Sequence, residues 1–304
     1  MRKPWVLAAA MLAMSMTVTD YGHAASSHQG KKHRAQARDN GTGLLTVSSS
    51  AAMVFDEQDE KLLYAKNSTV TAPIASITKL MTAMVVLDAR LPMEEKIVID
   101  YSDVDTLRNS SSRLAVGTEL SRGELLRLAL MSSENRAAAA LARAYPGSTP
   151  AFVAAMNAKA AALGMKHSRF VDSTGLHSEN VSTAEELVKM VKASYTYGVI
   201  REYTTTASHD VDIPGRRHSV EFRNTNALVR NKQWDIGLSK TGFINEAGRC
   251  LVMQVQIASR SVIIVLLDSF GKYTRISDAN RIKKWVENGR GRRVAQAEIP
   301  RRGV

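Results

Sequence analysis

The sequence predicts a mixed α/β (α+β) domain in which an antiparallel sheet is built from both chain ends and flanked by helices, with an all-helical lobe inserted between them. Three observations carry this expectation. Strand-like apolar runs occur early, at residues 47–55 and 61–66, and again late, at 250–258 and 261–268. Between them the apolar spacing is helical, with cap residues and Pro or Gly breaks marking several ends. No internal repeat is present, so the two strand-rich ends belong to one sheet rather than to copies of one unit.

In chain order, residues 1–24 open with Arg2 and Lys3, continue through a mostly apolar run and end in small residues, among them Gly22 and Ala24. That is the pattern of a cleaved secretory signal peptide. Residues 25–43 are rich in Gly, Ser, His and Lys, which predicts a disordered linker. The polar turn Asp56-Glu57-Gln58-Asp59-Glu60 joins the first two strands into a hairpin. After the break at Thr71-Ala72-Pro73, residues 76–90 read as a helix apolar on most sides and therefore deeply buried. Ser121-Arg122-Gly123-Glu124 has the spacing of a capping box and opens a helix that stops at Ser132-Ser133-Glu134-Asn135. An alanine-rich helix follows as far as Tyr145, and Thr149-Pro150 opens another, with Pro at its first position, through Leu163-Gly164. Ser182-Thr183-Ala184-Glu185 caps a helix ending near Tyr195. Residues 237–243 then form a strand before the late hairpin, which turns at Ser259-Arg260, and residues 276–287 form a closing helix.

The 304 residues carry a formal charge of +12, but that charge is not spread evenly. Lys31, Lys32, Arg34 and Arg38 face only Asp39 in the linker, and from Arg281 onward eight basic residues face two acidic ones. The body, 44–280, is close to neutral. Such ends are solvated tails that can hold an exported protein loosely against anionic lipid or wall polymer. No aromatic residues interleave them, which argues against a nucleic-acid partner. Cys250 is the sole cysteine, so no intrachain disulfide exists, and its place in an apolar run makes it a buried hydrophobe. The seven His are scattered with no metal-ligand spacing, and neither a metal nor a cofactor is expected.

The chemistry starts at Ser76-Ile77-Thr78-Lys79, where a hydroxyl and an amine share a helix face. A lysine held in a dry pocket can act as base for a serine nucleophile. This spacing is common by chance, and Ser269-Phe270-Gly271-Lys272 is a decoy in a turn. Ser-x-Asn occurs at Ser133-Glu134-Asn135 between helices and at Ser178-Glu179-Asn180 in a polar loop. Lys240-Thr241-Gly242 is rarer and lies just before a hairpin. There Lys and Thr can bind a carboxylate, and Gly leaves room for a peptide laid along the strand.

Ser-x-x-Lys, Ser-x-Asn and Lys-Thr-Gly in this order resemble the active-site set of penicillin-binding proteins and serine β-lactamases. The neighbourhoods Ala72 to Ala83, Asp172-Ser173-Thr174-Gly175-Leu176 and Ser239 to Phe243 resemble the low-molecular-mass D-alanyl-D-alanine peptidases. Asn245-Glu246-Ala247-Gly248-Arg249-Cys250 is similar to the penicillin-binding protein 7 type of DD-endopeptidase. The resemblance spans about residues 44–287 and implies a β-lactamase/DD-peptidase-like fold for that domain, with 288–304 as a basic tail. It implies hydrolysis of D-Ala to diaminopimelate cross-links in peptidoglycan, with trimming of a terminal D-Ala as the alternative activity. It further implies a periplasmic enzyme with peptidoglycan peptides as substrate and β-lactams as covalent inhibitors.

By the same resemblance Ser76 is the nucleophile, Lys79 its base and Ser133 the proton donor to the leaving amine. Asn135 orients Lys79 and the substrate, Lys240 and Thr241 hold a carboxylate, and the N–H groups of Ser76 and Phe243, beside Gly242, receive the oxyanion. Lys240 is expected to help discharge Lys79. Glu134 stands where relatives often have Gly or Asp, a charge that could alter access. Class A β-lactamases also use a Glu to activate the deacylating water. The loop 168–182 lacks that local pattern, so penicillin release is expected to be slow. A non-catalytic wall-binding or penicillin-binding module is the competing class, and the intact Ser76, Lys79, Ser133 and Lys240 argue against it.

Overall fold

The structure is a computed structural model, and it describes residues 44–213, 215, 217–289 and the backbone of 295–296. The leader and linker expectations, and nearly all of the basic tail, lie outside these residues. The first hairpin is β1 (Ala51–Asp56) and β2 (Lys61–Lys66), and a short β3 (Ala72–Pro73) follows. A 3-10 turn over Ala75–Ile77 leads into α1 (Thr78–Asp88), whose residues are buried without interruption from Thr78 to Val86. The helical region then holds a small hairpin of β4 (Lys96–Val98) and β5 (Glu119–Ser121), followed by α2 (Arg122–Met131), α3 (Asn135–Arg143) and α4 (Ser148–Ala162). Next come β6 (Val181–Ser182), α5 (Ala184–Tyr195), α6 (Gly198–Thr205), and a second small hairpin of β7 (Ser208–Val211) and β8 (Val220–Arg223). The chain closes with β9 (Asp235–Ile244), β10 (Gly248–Ile257), β11 (Arg260–Ser269), α7 (Thr274–Glu287) and β12 (Ala295–Gln296).

The main sheet has the order β12-β2-β1-β11-β10-β9, so strands from both chain ends meet where β1 pairs with β11. All neighbours are antiparallel except β12, which lies parallel to β2 in a stretch the sequence suggested was a solvated tail. The period-2 alternation of the strands loads both faces. Val262, Ile264 and Leu266 of β11 join Ala279, Ile282, Trp285 and Val286 of α7 in one core. Ile263, Val265 and Leu267 point the other way, into a larger core with α1, α2 and α5. A sheet buried on both faces explains why the late strands read as continuous apolar runs.

Several boundaries differ from the sequence expectation for identifiable reasons. The β10–β11 turn is Ala258-Ser259, one residue earlier, with both residues at positive φ as a tight two-residue hairpin demands. Helix α4 starts at Ser148, which places Pro150 third rather than first; its missing N–H is still in the turn that has no intrahelical partner. The cap of α5 is Thr183, accepting from Glu186 N–H, not Ser182. At α2 the Ser121 hydroxyl accepts from Glu124 N–H, while the Glu124 carboxylate turns to His209 instead of closing the box.

Candidate active site

Ser76 sits in the 3-10 turn before α1, not in the α-helix itself, and two contacts fix that turn. β3 pairs with β6, and Ile74 N–H donates to Asn180 C=O at 3.0 Å. Ala75, buried, holds φ +48°, a conformation that costs a non-glycine residue about 1–2 kcal/mol. Beyond the turn, Lys79 is fully buried among apolar residues of α1. Its Nζ meets three oxygens: Ser76 Oγ at 2.9 Å, Asn135 Oδ1 at 2.7 Å and Thr174 C=O at 2.6 Å. Asn135, at the start of α3, donates its Nδ2 to Ser110 Oγ at 2.8 Å, which fixes its amide with the oxygen toward Lys79.

Burial pulls Lys79 down to about 7, against the opposing pull of the Asp172 and Glu134 carboxylates. A neutral amine keeps two N–H bonds and one lone pair. With the carbonyl oxygens of Asn135 and Thr174 taking the two hydrogens, the lone pair is left facing Ser76 Oγ. The geometry therefore selects the direction of proton transfer once the amine is uncharged.

A second network faces the first from the sheet edge. Lys240 of β9 is also fully buried, and its Nζ donates to Ser133 Oγ at 2.8 Å and to Thr241 C=O at 3.0 Å. Burial, then the charges of Lys79 and Arg275, pushes Lys240 well below an ordinary lysine. The expected repulsion between the two lysines is thus felt mainly at Lys240, while Lys79 is discharged by burial. Ser133, between α2 and α3, holds φ +61°, which turns its hydroxyl out of the helix path. Thr241 Oγ1 donates to Thr225 Oγ1 at 2.7 Å.

Gly242 closes the gap between the networks. A Cβ there would lie 2.9 Å from Ile74 O and 3.0 Å from Ser76 N, so only glycine lets the edge strand approach the Ser76 turn this closely. Phe243 follows with its ring half exposed and the Arg249 guanidinium over it at 4.5 Å. Every residue expected at the site is therefore assembled in one place. The decoys are not: Ser269 is buried against Ser49 Oγ, and Asn180 donates to Asp172 Oδ2. Glu134 is buried and accepts from Ser112 Oγ and Arg113 N–H, so it holds a neighbouring loop, and it lines a cavity together with Ser133 and Asn135.

Three participants had no role expected from the sequence, although Asp172 and Thr174 lie in one of the neighbourhoods that carry the resemblance. Thr174 supplies a backbone carbonyl, which no side-chain pattern reveals. The Asp172 carboxylate accepts from the N–H groups of Thr174, Gly175 and His177 and from Asn180 Nδ2, tying the loop that presents this carbonyl. Burial raises Asp172, but those hydrogen bonds outweigh it and keep the carboxylate below its usual range. Arg275 of α7 donates to the Gly242 and Cys250 carbonyls from behind β9, adding positive charge under the edge strand. A cavity of about 250 Å³ opens on the far side of Asn135 and Thr174, bordered also by Asp105, Asp172 and Leu176, and Ser76 is not part of its wall.

A family model described as D-alanyl-D-alanine carboxypeptidase matches residues 34–271. The D-alanyl-D-alanine endopeptidase of Pseudomonas aeruginosa is 51% identical over 243 residues, covering 80% of this chain and 78% of that protein. The D-alanyl-D-alanine endopeptidase of Escherichia coli K12 is 47% identical over 253 residues, covering 83% and 82%. Among solved structures, the Streptomyces K15 DD-transpeptidase superposes with a TM-score of 0.73 at 29% identity, covering 79% of this chain and 97% of that one.

Proposed function

The chain belongs to the D-alanyl-D-alanine carboxypeptidase family of serine peptidases, and from that premise we propose that it is an endopeptidase that hydrolyses D-Ala to diaminopimelate cross-links of peptidoglycan through an acyl-enzyme on Ser76. The observation that carries this reading is the neutral-amine geometry of Lys79, whose lone pair faces Ser76 Oγ. Lys79 takes the Ser76 proton as Oγ attacks the D-Ala carbonyl. The oxyanion lies between the N–H groups of Ser76 and Phe243, preorganised donors worth about 3 kcal/mol each. Ser133, hydrogen-bonded to Lys240, relays to the departing amine the proton that Lys79 took, which leaves Lys79 neutral and Ser133 a hydroxyl again, and the acyl bond is then hydrolysed by water.

The leaving residue of a cross-link is the D-centre of diaminopimelate, whose carboxylate sits on the same carbon as the departing nitrogen. Lys240 and Thr241, with Arg275 behind them, suit that carboxylate, and a terminal D-Ala offers the same group. The family therefore supports carboxypeptidase activity as the second reading, and the two endopeptidase relatives favour the first. Penicillins acylate the same serine. We assign residues 44–287 to the catalytic domain, and to 1–24 a leader that carries the enzyme to the periplasm, where its substrate lies. Among the described residues no helix is long and apolar enough to cross a membrane. The basic residues at the two ends would add a loose, salt-sensitive contact with anionic lipid or wall polymer.

The test is mass spectrometry of purified cross-linked muropeptide dimers digested by wild type and by Ser76→Ala. Conversion of dimers to monomers by wild type alone is the expected result. Loss of D-Ala from pentapeptides with dimers intact would establish the carboxypeptidase instead. Undiminished cleavage by Ser76→Ala would end the acyl-enzyme reading.

A further inference from the structure

We infer that Arg108 and Glu246 form a subsite for the side-chain end of the acyl-donor residue, recognising the free ammonium and carboxylate that a diaminopimelyl residue carries on one carbon. The inference rests on the cross-link reading above and extends it to the other half of the substrate.

The position follows from the order of groups along β9, the edge strand of the main sheet. The leaving carboxylate lies at Thr241 and the reacting carbonyl at the Phe243 N–H, so the donor peptide continues toward the β9–β10 turn. Glu246 stands in that turn, between Ile244 and Gly248. A strand advances about 3.4 Å per residue, so the residue preceding the reacting D-Ala lies beside the end of β9, and a side chain of three methylenes can reach the turn. Arg108 arrives from the opposite wall. Its Nη2 lies 2.9 Å from Glu246 Oε2, and its Nε donates at 2.5 Å to the Leu176 carbonyl. Leu176 follows Gly175, which abuts Ala75 and Ser76. The ion pair therefore spans the donor end of the cleft.

The loop carrying Arg108 does not depend on this pair. Asp105 already accepts from the N–H groups of Leu107, Arg108 and Ser110, and Glu134 holds Ser112 and Arg113. The Glu246 side chain is 48% exposed and that of Arg108 21%, and pairs in such surroundings add little to stability. What the pair offers is one charge of each sign at a fixed spacing. A zwitterionic side-chain end can exchange with it, carboxylate to Arg108 and ammonium to Glu246, without leaving either charge unpartnered. An uncharged side chain cannot. Arg249, near the same end of β9, is engaged over the Phe243 ring, and Arg275 on the Gly242 and Cys250 carbonyls.

A D-Ala to diaminopimelate muropeptide dimer carries one free amine, on the donor residue, so mild acetylation blocks the group assigned to Glu246 and nothing else. Steady-state cleavage of dimer and acetylated dimer would be compared for wild type and Glu246→Gln, with labelling of Ser76 by benzylpenicillin counting the folded sites in each preparation. Acetylation is expected to raise the wild-type KM about tenfold with little change in kcat, the scale of one lost charged hydrogen bond. Glu246→Gln should show the raised KM already, with no further change on acetylation. A dimer whose donor carboxyl is amidated should behave the same way toward Arg108→Gln. Equal KM values for blocked and unblocked dimers in wild type, or equal losses on both in the variants, would reduce the pair to a structural strap and overturn the inference. A wild type labelled by penicillin that cuts neither dimer would instead remove the cross-link reading, and the inference with it.

Discussion

Lys79 has three oxygens around it and, at neutral pH, close to an even chance of having a hydrogen for each. That balance sets a pH dependence. Only the neutral amine can accept from Ser76, so acylation by benzylpenicillin should rise about tenfold per unit below pH 7 and level off above it. The Glu134 carboxylate favours the charged amine. Glu134→Gln removes that charge, lowers the midpoint and increases the fraction of the plateau rate seen at pH 6. Rapid-quench measurement of Ser76 labelling across pH decides it; a midpoint unmoved or raised would contradict the assignment. The same residues bear on release. The Asp172 and Glu134 carboxylates nearest Lys79 are already occupied by loop N–H and hydroxyl groups. With neither available to activate water, the penicilloyl-enzyme should persist through gel filtration, whereas rapid turnover of penicillin would show that another base exists.

At the scale of elements, the site depends on two segments brought against the Ser76 turn. Gly175, at φ +81°, would place a Cβ 2.0 Å from the Ala75 carbonyl oxygen and 2.8 Å from Ser76 N. Gly175→Ala should therefore displace the nucleophile turn and cut the penicillin acylation rate on the order of a hundredfold, the effect of a misplacement near 1 Å. A wild-type acylation rate in the folded variant would refute this. The example also shows what could be read beforehand. Ser76-x-x-Lys79 and Lys240-Thr241-Gly242 were visible because their groups are adjacent in sequence, and β9 to β11 because burial on both faces makes their apolar runs continuous. The β4–β5 and β7–β8 hairpins and α6 were not, because they are short and largely half exposed, with little period to detect. Thr174 acts through a backbone carbonyl, so the neighbourhood 172–176 was recognisable but its role was not, and Arg275 arrives from a distant helix with no local signature.

Across the whole molecule, a sheet assembled from both chain ends needs those ends held together, and a single carboxylate does much of this. Asp278 of α7 accepts from the N–H groups of Ser48 and Ser49 and from Ser49 Oγ at 2.6 Å, and it pairs with Arg281. Ser49 Oγ lies in turn 2.7 Å from Ser269 Oγ at the end of β11. The serine of the decoy motif thus belongs to the tie between first and last segments, and the catalytic groups are held by other contacts. Asp278→Ala would leave the buried N–H and hydroxyl of Ser49 and the part-buried N–H of Ser48 without their acceptor and uncouple α7 from the entry to β1. The loss should be about 3 kcal/mol, a fall in Tm of about 6–12 °C for a domain of this size. Penicillin acylation of Ser76 at 25 °C should stay near the wild-type rate, because Asp278 touches none of the site residues. Differential scanning calorimetry beside an acylation assay separates the two effects. A variant that keeps its Tm would mean that the pairing of β1 with β11 alone joins the chain ends, and one that loses acylation while still folded would mean that α7 positions β9 through more than Arg275.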